Sequence, residues 1–265
     1  MSFLSSIRAR LGTPPPPEDA PPKDAQKTPT MRVFTLSRAP VFYLATTKCG
    51  CTYLKNLFYL LEFGHVHPRA TYIHQHEAEI PRAGHLSLET VQDSPYGFMV
   101  LRDPADRLLS LYFDKIYGEG PQNFPHVRAT LARDAGLSLD RALSAQGHQD
   151  NVMRLLDWLR RNLAGETKIK PNPHWKPQIE RIRIGRKLNL APLLLERLDE
   201  QLPALLSPVL PQIEAQMAKI TARNRTERPL KSEAILTDRL RDEIADLYGR
   251  DLAAYLRARA EWDMV

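Results

Sequence analysis

The chain has 265 residues, 43% of them apolar and 26% charged, which is enough to bury the core of one large domain. Its formal charge of +6 favours either an anionic partner (nucleic acid, a membrane surface, a phosphate-bearing cofactor or an acidic polymer) or a solvated basic surface. The two cysteines, Cys49 and Cys51, are too close in sequence for a relaxed disulfide, which excludes a disulfide framework and favours a reducing compartment.

Residues 1–30 are predicted to form a disordered Pro-rich tail, because seven of the 22 prolines fall there and such a composition cannot bury a core. The N-terminal segment MSFLSSIRARLG is too short and polar for a signal peptide or a spanning helix, and a weakly basic helix of residues 2–11 on a membrane surface is an alternative. No other apolar run reaches the roughly 18–20 residues that a spanning helix needs. We therefore expect a cytoplasmic protein without a transmembrane segment, with peripheral membrane contact as an open alternative.

The folded body is expected to begin near Met31, with one or two short strands in MRVFTLSRAPVFYLATT. Its segment VFYLA is apolar throughout, as in a strand covered on both faces. After the turn TTKCGCT, four apolar residues recur at helical spacing and predict an amphipathic helix: Leu54, Leu57, Phe58 and Leu61.

Residues 64–95 read mainly as loops, and YGFMVL (Tyr96–Leu101) reads as a second buried strand. Pro104 suits the first turn of a helix that continues to about Tyr117. Strand, turn and helix therefore occur twice in succession, which predicts an α/β fold with a central, mainly parallel sheet flanked by helices.

The second half of the chain is predicted to be rich in further helices. Helical patterns occur at 126–134, 138–145 and 149–163, and again from Thr237 to about Arg259. Thr237 or Asp238 is expected to cap the last of these helices.

The turn TTKCGCT has the composition of an anion-binding loop. A tight turn from a buried strand into a helix directs several backbone N–H groups at one point, where the helix dipole adds positive charge. Lys48 would add a full charge, Gly50 would let the backbone approach a ligand, and Thr52 would offer a hydroxyl. The nucleotide-binding pattern GxxxxGK[ST] is absent, and an ordinary strand–helix turn stays open as an alternative.

The second unit, FMVLRDPADRLLSLYFDK, carries another candidate anion site. Arg102 follows a strand and Ser110 lies about two turns into the next helix, so a guanidinium and a hydroxyl are available to one phosphate. The alternatives are a strand-end ion pair of Arg102 with Asp103 and an idle hydroxyl at Ser110. Two such sites suggest one ligand with two separated phosphate groups.

Together, TTKCGCTYLK and VLRDPADRLLSLYFDK resemble the two motifs of sulfotransferases that use 3′-phosphoadenosine 5′-phosphosulfate (PAPS). The likeness is to the carbohydrate (Golgi-type) branch, such as chondroitin 4-O- and heparan 2-O-sulfotransferases and their bacterial relatives. It implies a P-loop-like three-layer core in a single sulfotransferase domain (31–265), PAPS as donor, adenosine 3′,5′-bisphosphate (PAP) as product, and no metal.

The resemblance also assigns roles to residues. Arg102 and Ser110 would hold the 3′-phosphate, and Lys48 would contact the transferring sulfuryl group. Many relatives have proline where this chain has Thr47, which should soften the turn without removing the anion site. The whole first loop would hold the 5′-phosphosulfate: Thr47, Lys48, Cys49, Gly50, Cys51 and Thr52.

Weaker similarities continue downstream, so that the resemblance covers roughly residues 40–258. NPHWKPQ (Asn172–Gln178) resembles an HW segment, and LLLERL resembles a strand-end motif. ARNRTERP (Ala222–Pro229) resembles a basic loop close to the nucleotide and places Arg225 there. LYGRDLAAY (Leu247–Tyr255) resembles the closing helix of the family.

A general base is needed to take the proton of the acceptor hydroxyl, and histidine or glutamate suits this task. His85 comes first, because AGHLSLETV resembles the segment that carries the proposed base in the 2-O-sulfotransferases. His76 and His74 are alternatives that would also suit a surface pair, and His174 is an alternative that would also pack against a tryptophan. Glu77 is a further candidate.

The acceptor is expected to be a carbohydrate hydroxyl, on a glycan, polysaccharide or glycolipid. The basic stretch Lys168–Lys187 would line a groove for it or simply form a solvated face. A small-molecule sulfotransferase, a kinase on a related core and a non-catalytic polyanion- or nucleotide-binding protein are the rival hypotheses. The absence of a membrane anchor, which animal relatives carry, favours a bacterial, cytoplasmic enzyme; no nucleic-acid partner is expected and the oligomeric state stays open.

Overall fold

The computed structural model describes residues 29–120, 123–221 and 230–264. The Pro-rich tail predicted for residues 1–30 lies outside these ranges except for its last two residues. The described residues group into two compact units. We call them the sheet unit (within 1–101, 180–224 and 257–265) and the helical unit (within 102–179 and 225–256).

The sheet unit contains four strands in the order β1-β2-β3-β4. They are β1 (Val33–Leu36), β2 (Ala39–Leu44), β3 (Tyr96–Leu101) and β4 (Ala191–Leu194). β1 and β2 are antiparallel, whereas β2, β3 and β4 run parallel, so that the last three end at the same edge of the sheet. Ligands of open α/β sheets bind at this carboxyl edge.

Helices account for most of the remaining described residues. The α-helices are α1 (Cys51–Phe63), α2 (Leu88–Gln92), α3 (Pro104–Leu111), α4 (Pro125–Ala135), α5 (Ala145–Leu163), α6 (Ile179–Lys187), α7 (Leu198–Leu206), α8 (Ile213–Ala218), α9 (Ser232–Ile235) and α10 (Asp238–Asp263). Short 3₁₀-helices occur at Pro29–Arg32, Ala70–Gln75, Glu77–Glu79, Ala83–His85 and Leu195–Arg197, and a π-helix at Tyr112–Tyr117. No helix among the described residues is long and apolar enough to span a membrane.

The predicted α/β class is confirmed, with a mainly parallel sheet and many helices. The strand YGFMVL and the amphipathic helix after TTKCGCT are present as predicted, and Pro104 is the first residue of α3. Thr237 Oγ1 accepts a hydrogen bond from Leu240 N–H at 3.3 Å, which confirms it as a cap. The helix that starts at Pro104 is α-helical only to Leu111, after which a π-turn follows.

The helix predicted at 138–145 is wrong, because side chains hold this backbone in another conformation. Asn151 Oδ1 accepts from Ser138 N–H at 2.9 Å, and Asn151 Nδ2 donates to the Ser138 carbonyl at 2.7 Å. Asp140 N–H also donates to Ser138 Oγ at 3.2 Å. Local side-chain bonds of this kind compete with helical hydrogen bonds, so α5 begins only at Ala145.

Each unit has its own hydrophobic core. In the sheet unit, the apolar face of α1 packs on the sheet through rings: Tyr43 lies 5.5 Å from Phe58 and 5.1 Å from Phe98 between centroids. In the helical unit, Trp158 and Trp175 are both buried and lie 5.8 Å apart. Burial of each such side chain contributes about 1.5–3 kcal/mol. In the sheet unit this packing anchors α1 and the loop before it.

Candidate functional site

The loop between β2 and α1 lies at the carboxyl edge of the parallel strands. Lys48 has a φ of 66° and Gly50 a φ of 74°, both in the left-handed region. A side chain there costs about 1–2 kcal/mol, and strain of this kind clusters at functional turns. At Gly50 a Cβ would lie only 2.7 Å from Leu195 Cδ1. The φ therefore favours glycine here, and an added methyl group would in addition displace the end of the Leu195 side chain.

The start of α1 offers hydrogen-bond donors to a ligand. Gly50 is the N-cap and provides no side-chain cap for the N–H groups of the first turn. Thr46 is 1% exposed, and its hydroxyl has no hydrogen-bond partner among the described residues. Together with the ammonium of Lys48, these groups form a donor set that suits a sulfate or phosphate oxygen.

Cys49 and Cys51 are both buried and neither forms a disulfide, as expected for cysteines two positions apart. Cys49 Sγ lies 3.6 Å from the Thr47 carbonyl oxygen, within the loop itself. The Cys49 sulfur thus helps to pack the loop.

Thr52, in the first turn of α1, contacts a histidine that is 22 residues away in sequence. Its Oγ1 lies 2.9 Å from His74 Nε2, and Cys51 Sγ lies 3.8 Å from the same nitrogen. Lys55 Nζ, one turn further along α1, lies 2.9 Å from His74 Nδ1. His74 therefore joins two side chains of the helix that follows the loop.

Lys55 also forms an ion pair with Glu77, whose other oxygen accepts a hydrogen bond from Arg82 Nη2 at 2.8 Å. Burial would raise the pKa of Glu77, but the hydrogen bond and charge of Lys55, with those of Arg82, outweigh it and lower this pKa. A carboxylate that two cations hold ionised is a weak proton acceptor, so this contact argues against Glu77 as general base.

In the helical unit, Asp103 is the N-cap of α3. Its Oδ1 accepts hydrogen bonds from Ala105 N–H at 2.8 Å and Asp106 N–H at 3.1 Å. Ser110 is in the last turn of α3 and is 4% exposed. The local structure thus has Arg102 immediately before a capped helix and Ser110 two turns into it, as the sequence predicts.

Two residues that support Arg102 were not identified individually from the sequence. Gln178 Oε1 accepts from Arg102 N–H at 3.1 Å, and Gln178 Nε2 donates to the Arg102 carbonyl at 2.9 Å. Asp251 in turn accepts from the N–H groups of Gln178 at 2.6 Å and Ile179 at 2.8 Å. The similarities in NPHWKPQ and LYGRDLAAY pointed to these segments, but only the fold shows that their polar residues meet.

The candidate bases occupy different surroundings. His85 is exposed at the end of Ala83–His85 and forms no hydrogen bond or ion pair with another described residue. His76 Nδ1 lies 3.0 Å from Glu79 Oε1. His174, in the helical unit, has its Nδ1 2.7 Å from Asn172 Oδ1. A proton on Nδ1 in these two bonds leaves the lone pair on Nε2, as a general base requires.

One cluster within the described residues has the composition of a metal site: His67, His76 and Glu79. His67 Nδ1, however, accepts a hydrogen bond from Arg69 N–H at 3.0 Å. The proton of its neutral ring is therefore on Nε2, which faces Glu79 Oε2 at 3.6 Å. A metal ligand needs a lone pair on that nitrogen, whereas here Nε2 directs its N–H toward the carboxylate.

The basic residues expected near the ligands are only partly described. Arg225 and the loop at 222–229 lie outside the described residues. In the stretch 168–187, Lys168 and Lys170 are exposed in the helical unit. Arg183 and Arg186 are exposed in the sheet unit.

The sheet and its loop define an α/β protein in which a strand, a tight turn and a helix bring together hydrogen-bond donors that suit an anion. The model of the sulfotransferase family matches residues 31–256, well over half of the chain. The chain therefore belongs to the sulfotransferase family, and the predicted enzyme class is confirmed at this level. Searches of curated proteins and of solved structures each found no match.

Proposed function

We propose that this sulfotransferase uses PAPS as donor and a carbohydrate hydroxyl as acceptor, on a glycan, polysaccharide or glycolipid. The main support is the loop after β2, where Lys48 and Gly50 adopt left-handed conformations before an uncapped helix. Its N–H groups, ammonium and hydroxyls suit the 5′-phosphosulfate. PAPS would supply the sulfuryl group; the residues of the chain would bind it, orient it and accept a proton.

Lys48 is the residue we assign to the transferring sulfuryl group. Negative charge grows on the leaving oxygen during in-line transfer, and a preorganised ammonium stabilises that charge. We assign Arg102 and Ser110 to the 3′-phosphate by their match to the second motif, and Arg225 to the nucleotide by the same resemblance. Gln178 supports this role, because its two hydrogen bonds to the N–H and carbonyl of Arg102, which we call the Gln178 clamp, fix the backbone that carries the guanidinium side chain.

A histidine would take the proton of the acceptor hydroxyl as the new sulfur–oxygen bond forms. We keep His85 as the first assignment, with His76 and His174 as alternatives. Replacing each in turn by glutamine should identify the base, because only its loss would abolish the fall in turnover at low pH, the limb of the pH profile that reports protonation of the base. The two other variants should keep that limb.

The carbohydrate acceptor and a bacterial, cytoplasmic origin are parts of the proposal that rest on resemblance to the carbohydrate branch. A small-molecule acceptor would leave the donor chemistry unchanged. A panel of oligosaccharides, polysaccharides, glycolipids and small alcohols, each incubated with radiolabelled PAPS, separates these cases by which fraction acquires label.

The donor assignment is tested by calorimetric titration of PAP, without added metal, into wild type, Lys48→Ala and Arg102→Ala. We expect saturable 1:1 binding by the wild type and about tenfold or greater weakening by Arg102→Ala, since charged hydrogen bonds contribute about 1.5–3 kcal/mol. Lys48→Ala should lower turnover by about 10²–10³-fold. Arg133→Ala is the matched control, because Arg133 is exposed and paired with its neighbour Asp134.

Absence of PAP binding by the wild type would overturn the donor assignment. If the protein instead bound polyanions with a steep salt dependence and gave no turnover, it would be a non-catalytic polyanion-binding member of the family.

A further inference from the structure

A chain of polar contacts in the sheet unit leads from Glu77 through Lys55 and His74 to the hydroxyl of Thr52. The separations are 2.9 Å between Lys55 Nζ and His74 Nδ1, and 2.9 Å between His74 Nε2 and Thr52 Oγ1. Lys55 is 5% exposed, so its ammonium has little access to solvent. Glu77 binds the ammonium and is itself bound by Arg82. These contacts hold both nitrogens of His74 in fixed directions.

The direction of each hydrogen bond follows from the inventory of donors and acceptors. A lysine ammonium has three donors and no acceptor, so His74 Nδ1 accepts from Lys55. A neutral imidazole whose Nδ1 accepts carries its proton on Nε2. His74 Nε2–H therefore donates to Thr52 Oγ1.

We propose that His74 is a positioning residue that turns the hydroxyl hydrogen of Thr52 toward an oxygen of the 5′-phosphosulfate. The oxygen of Thr52 accepts from His74, so its own O–H bond has to point in another direction. Thr52 is in the first turn of α1, immediately after the loop that contains Lys48 and Gly50. The inference rests on the proposed function, because the phosphosulfate is the acceptor that it assigns.

The same hydrogen bonds argue against His74 as the general base. A base needs a lone pair on the nitrogen that faces the substrate hydroxyl. In His74 the lone pair on Nδ1 faces Lys55, and Nε2 holds the proton that faces Thr52. Lys55 and Glu77 act one step further back, since they select the tautomer of His74.

The hydrogen-bond chain is tested first in the ligand-free protein. Nitrogen-15 NMR of the imidazole of His74 reports which nitrogen carries the proton. We expect the Nε2–H form in the wild type and loss of that preference in Lys55→Met. Lys219→Met is the control, because Lys219 is exposed and bonds only its neighbour Gln216 among the described residues. A wild type with the proton on Nδ1 would overturn the proposal.

The role toward the ligand is tested by a double-mutant cycle on the dissociation constant of PAP, with Thr52→Val, His74→Leu and both together. Each single variant should weaken binding about tenfold, the value of one hydrogen bond to a charged group. If His74 acts through Thr52, the dissociation constant of PAP for the double variant should lie within about twofold of that for either single variant. Two independent losses, about a hundredfold together, would refute the positioning role.

His74→Gln keeps the test decisive if His74→Leu does not fold. Its amide N–H can donate to Thr52 in place of Nε2–H, so binding should return to within about threefold of wild type. A glutamine variant as weak as the leucine variant, at equal stability to urea, would contradict the proposal. Absence of PAP binding by the wild type would refute the proposed function and, with it, the ligand assigned to Thr52. PAP binding by the wild type with additive losses in the double variant would refute only the inference about His74.

Discussion

Gln178 binds both the N–H and the carbonyl of Arg102, at 3.1 and 2.9 Å, although the two residues are 76 positions apart. Gln178 is 1% exposed, and its side-chain amide uses one donor and one acceptor in these bonds. Gln178 is itself held through its N–H by Asp251 Oδ2 at 2.6 Å. The backbone from which the Arg102 side chain projects is thus fixed by a polar chain inside the helical unit.

Replacing Gln178 by leucine should destabilise the protein and weaken PAP binding together. The backbone N–H and carbonyl of Arg102 would lose their partners, which should lower the free energy of unfolding by about 2–3 kcal/mol. Urea unfolding and calorimetric titration of PAP measure the two effects. Gln146→Leu is the control: Gln146 is exposed on α5, and its loss should change stability by less than about 0.5 kcal/mol. Normal PAP affinity in Gln178→Leu would show that the clamp serves stability alone.

Gly50→Ala should damage the loop more than a left-handed φ alone explains. Gly136 offers a matched control, because its φ is 65° and nothing lies within 4 Å of a Cβ there. Gly136→Ala should therefore cost only the conformational penalty of about 1–2 kcal/mol. Gly50→Ala has the same penalty and also places a methyl group 2.7 Å from Leu195 Cδ1.

We expect the free energy of unfolding to fall by about 0.5–1 kcal/mol more in Gly50→Ala than in Gly136→Ala, because the Leu195 side chain has to move, and PAP binding to be lost only in Gly50→Ala. Adding Leu195→Ala should recover the packing part of the difference. Equal losses of stability in the two glycine variants would contradict the close contact at Gly50.

Glu77 should contribute stability that depends on pH. Its folded-state pKa is lowered from 4.5, because the contacts with Lys55 and Arg82 outweigh the effect of burial. The ionised form is therefore favoured by folding, and its contribution is fully present above about pH 4.5 and is lost as the pH falls through the lower folded pKa. The difference in unfolding free energy between wild type and Glu77→Gln should be constant near neutral pH and shrink below that value. Glu214→Gln, an exposed carboxylate on α8, is the control.

His148 should affect stability in a different pH range. Burial lowers its pKa from 6.5, so the folded protein keeps the ring neutral while the unfolded chain takes up a proton. The unfolded state then binds more protons, and wild type should lose stability relative to His148→Gln as the pH falls below about 6.5. Urea unfolding of both proteins between about pH 8 and pH 5 gives this difference. A difference that grows in favour of wild type at low pH would mean that the folded protein stabilises the imidazolium.

Asn151 is expected to hold the segment that does not become a helix. It is fully buried and bonds Ser138 N–H, the Ser138 carbonyl and the hydroxyl of Tyr112. Asn151→Ala removes the side-chain partner of the Ser138 N–H and carbonyl, while the Tyr112 hydroxyl keeps His148 Nδ1 at 3.0 Å, and should cost about 2–4 kcal/mol. Hydrogen exchange should show faster exchange of the Ser138 amide in particular. Unchanged protection there would indicate that Asn151 is not what displaces the predicted helix.

The fold class and most elements were accessible from the sequence because their signals are local. The run YGFMVL predicts β3 with its observed bounds, and the spacing of Leu54, Leu57 and Phe58 predicts α1. Hydrophobic periodicity shows which face of an element is buried. This is sufficient to predict an element that is held in place by apolar packing alone. The prediction of a helix at 138–145 was wrong because its signal is not local: a buried asparagine on α5, Asn151, binds the backbone of this segment.

The sequence by itself determined the sulfotransferase motifs, the strand–turn–helix that presents Lys48 and Gly50, and the repeat of strand and helix that predicts a mainly parallel sheet. Only the tertiary structure decided which distant polar groups meet them: His74 on Thr52, and Gln178 on Arg102. Such pairs have no periodicity and no fixed spacing, because hydrogen bonds between distant segments depend on how buried faces pack and not on neighbours in sequence. The directions of the hydrogen bonds around Thr52 therefore follow from the fold, although the residues that form them can all be read in the sequence.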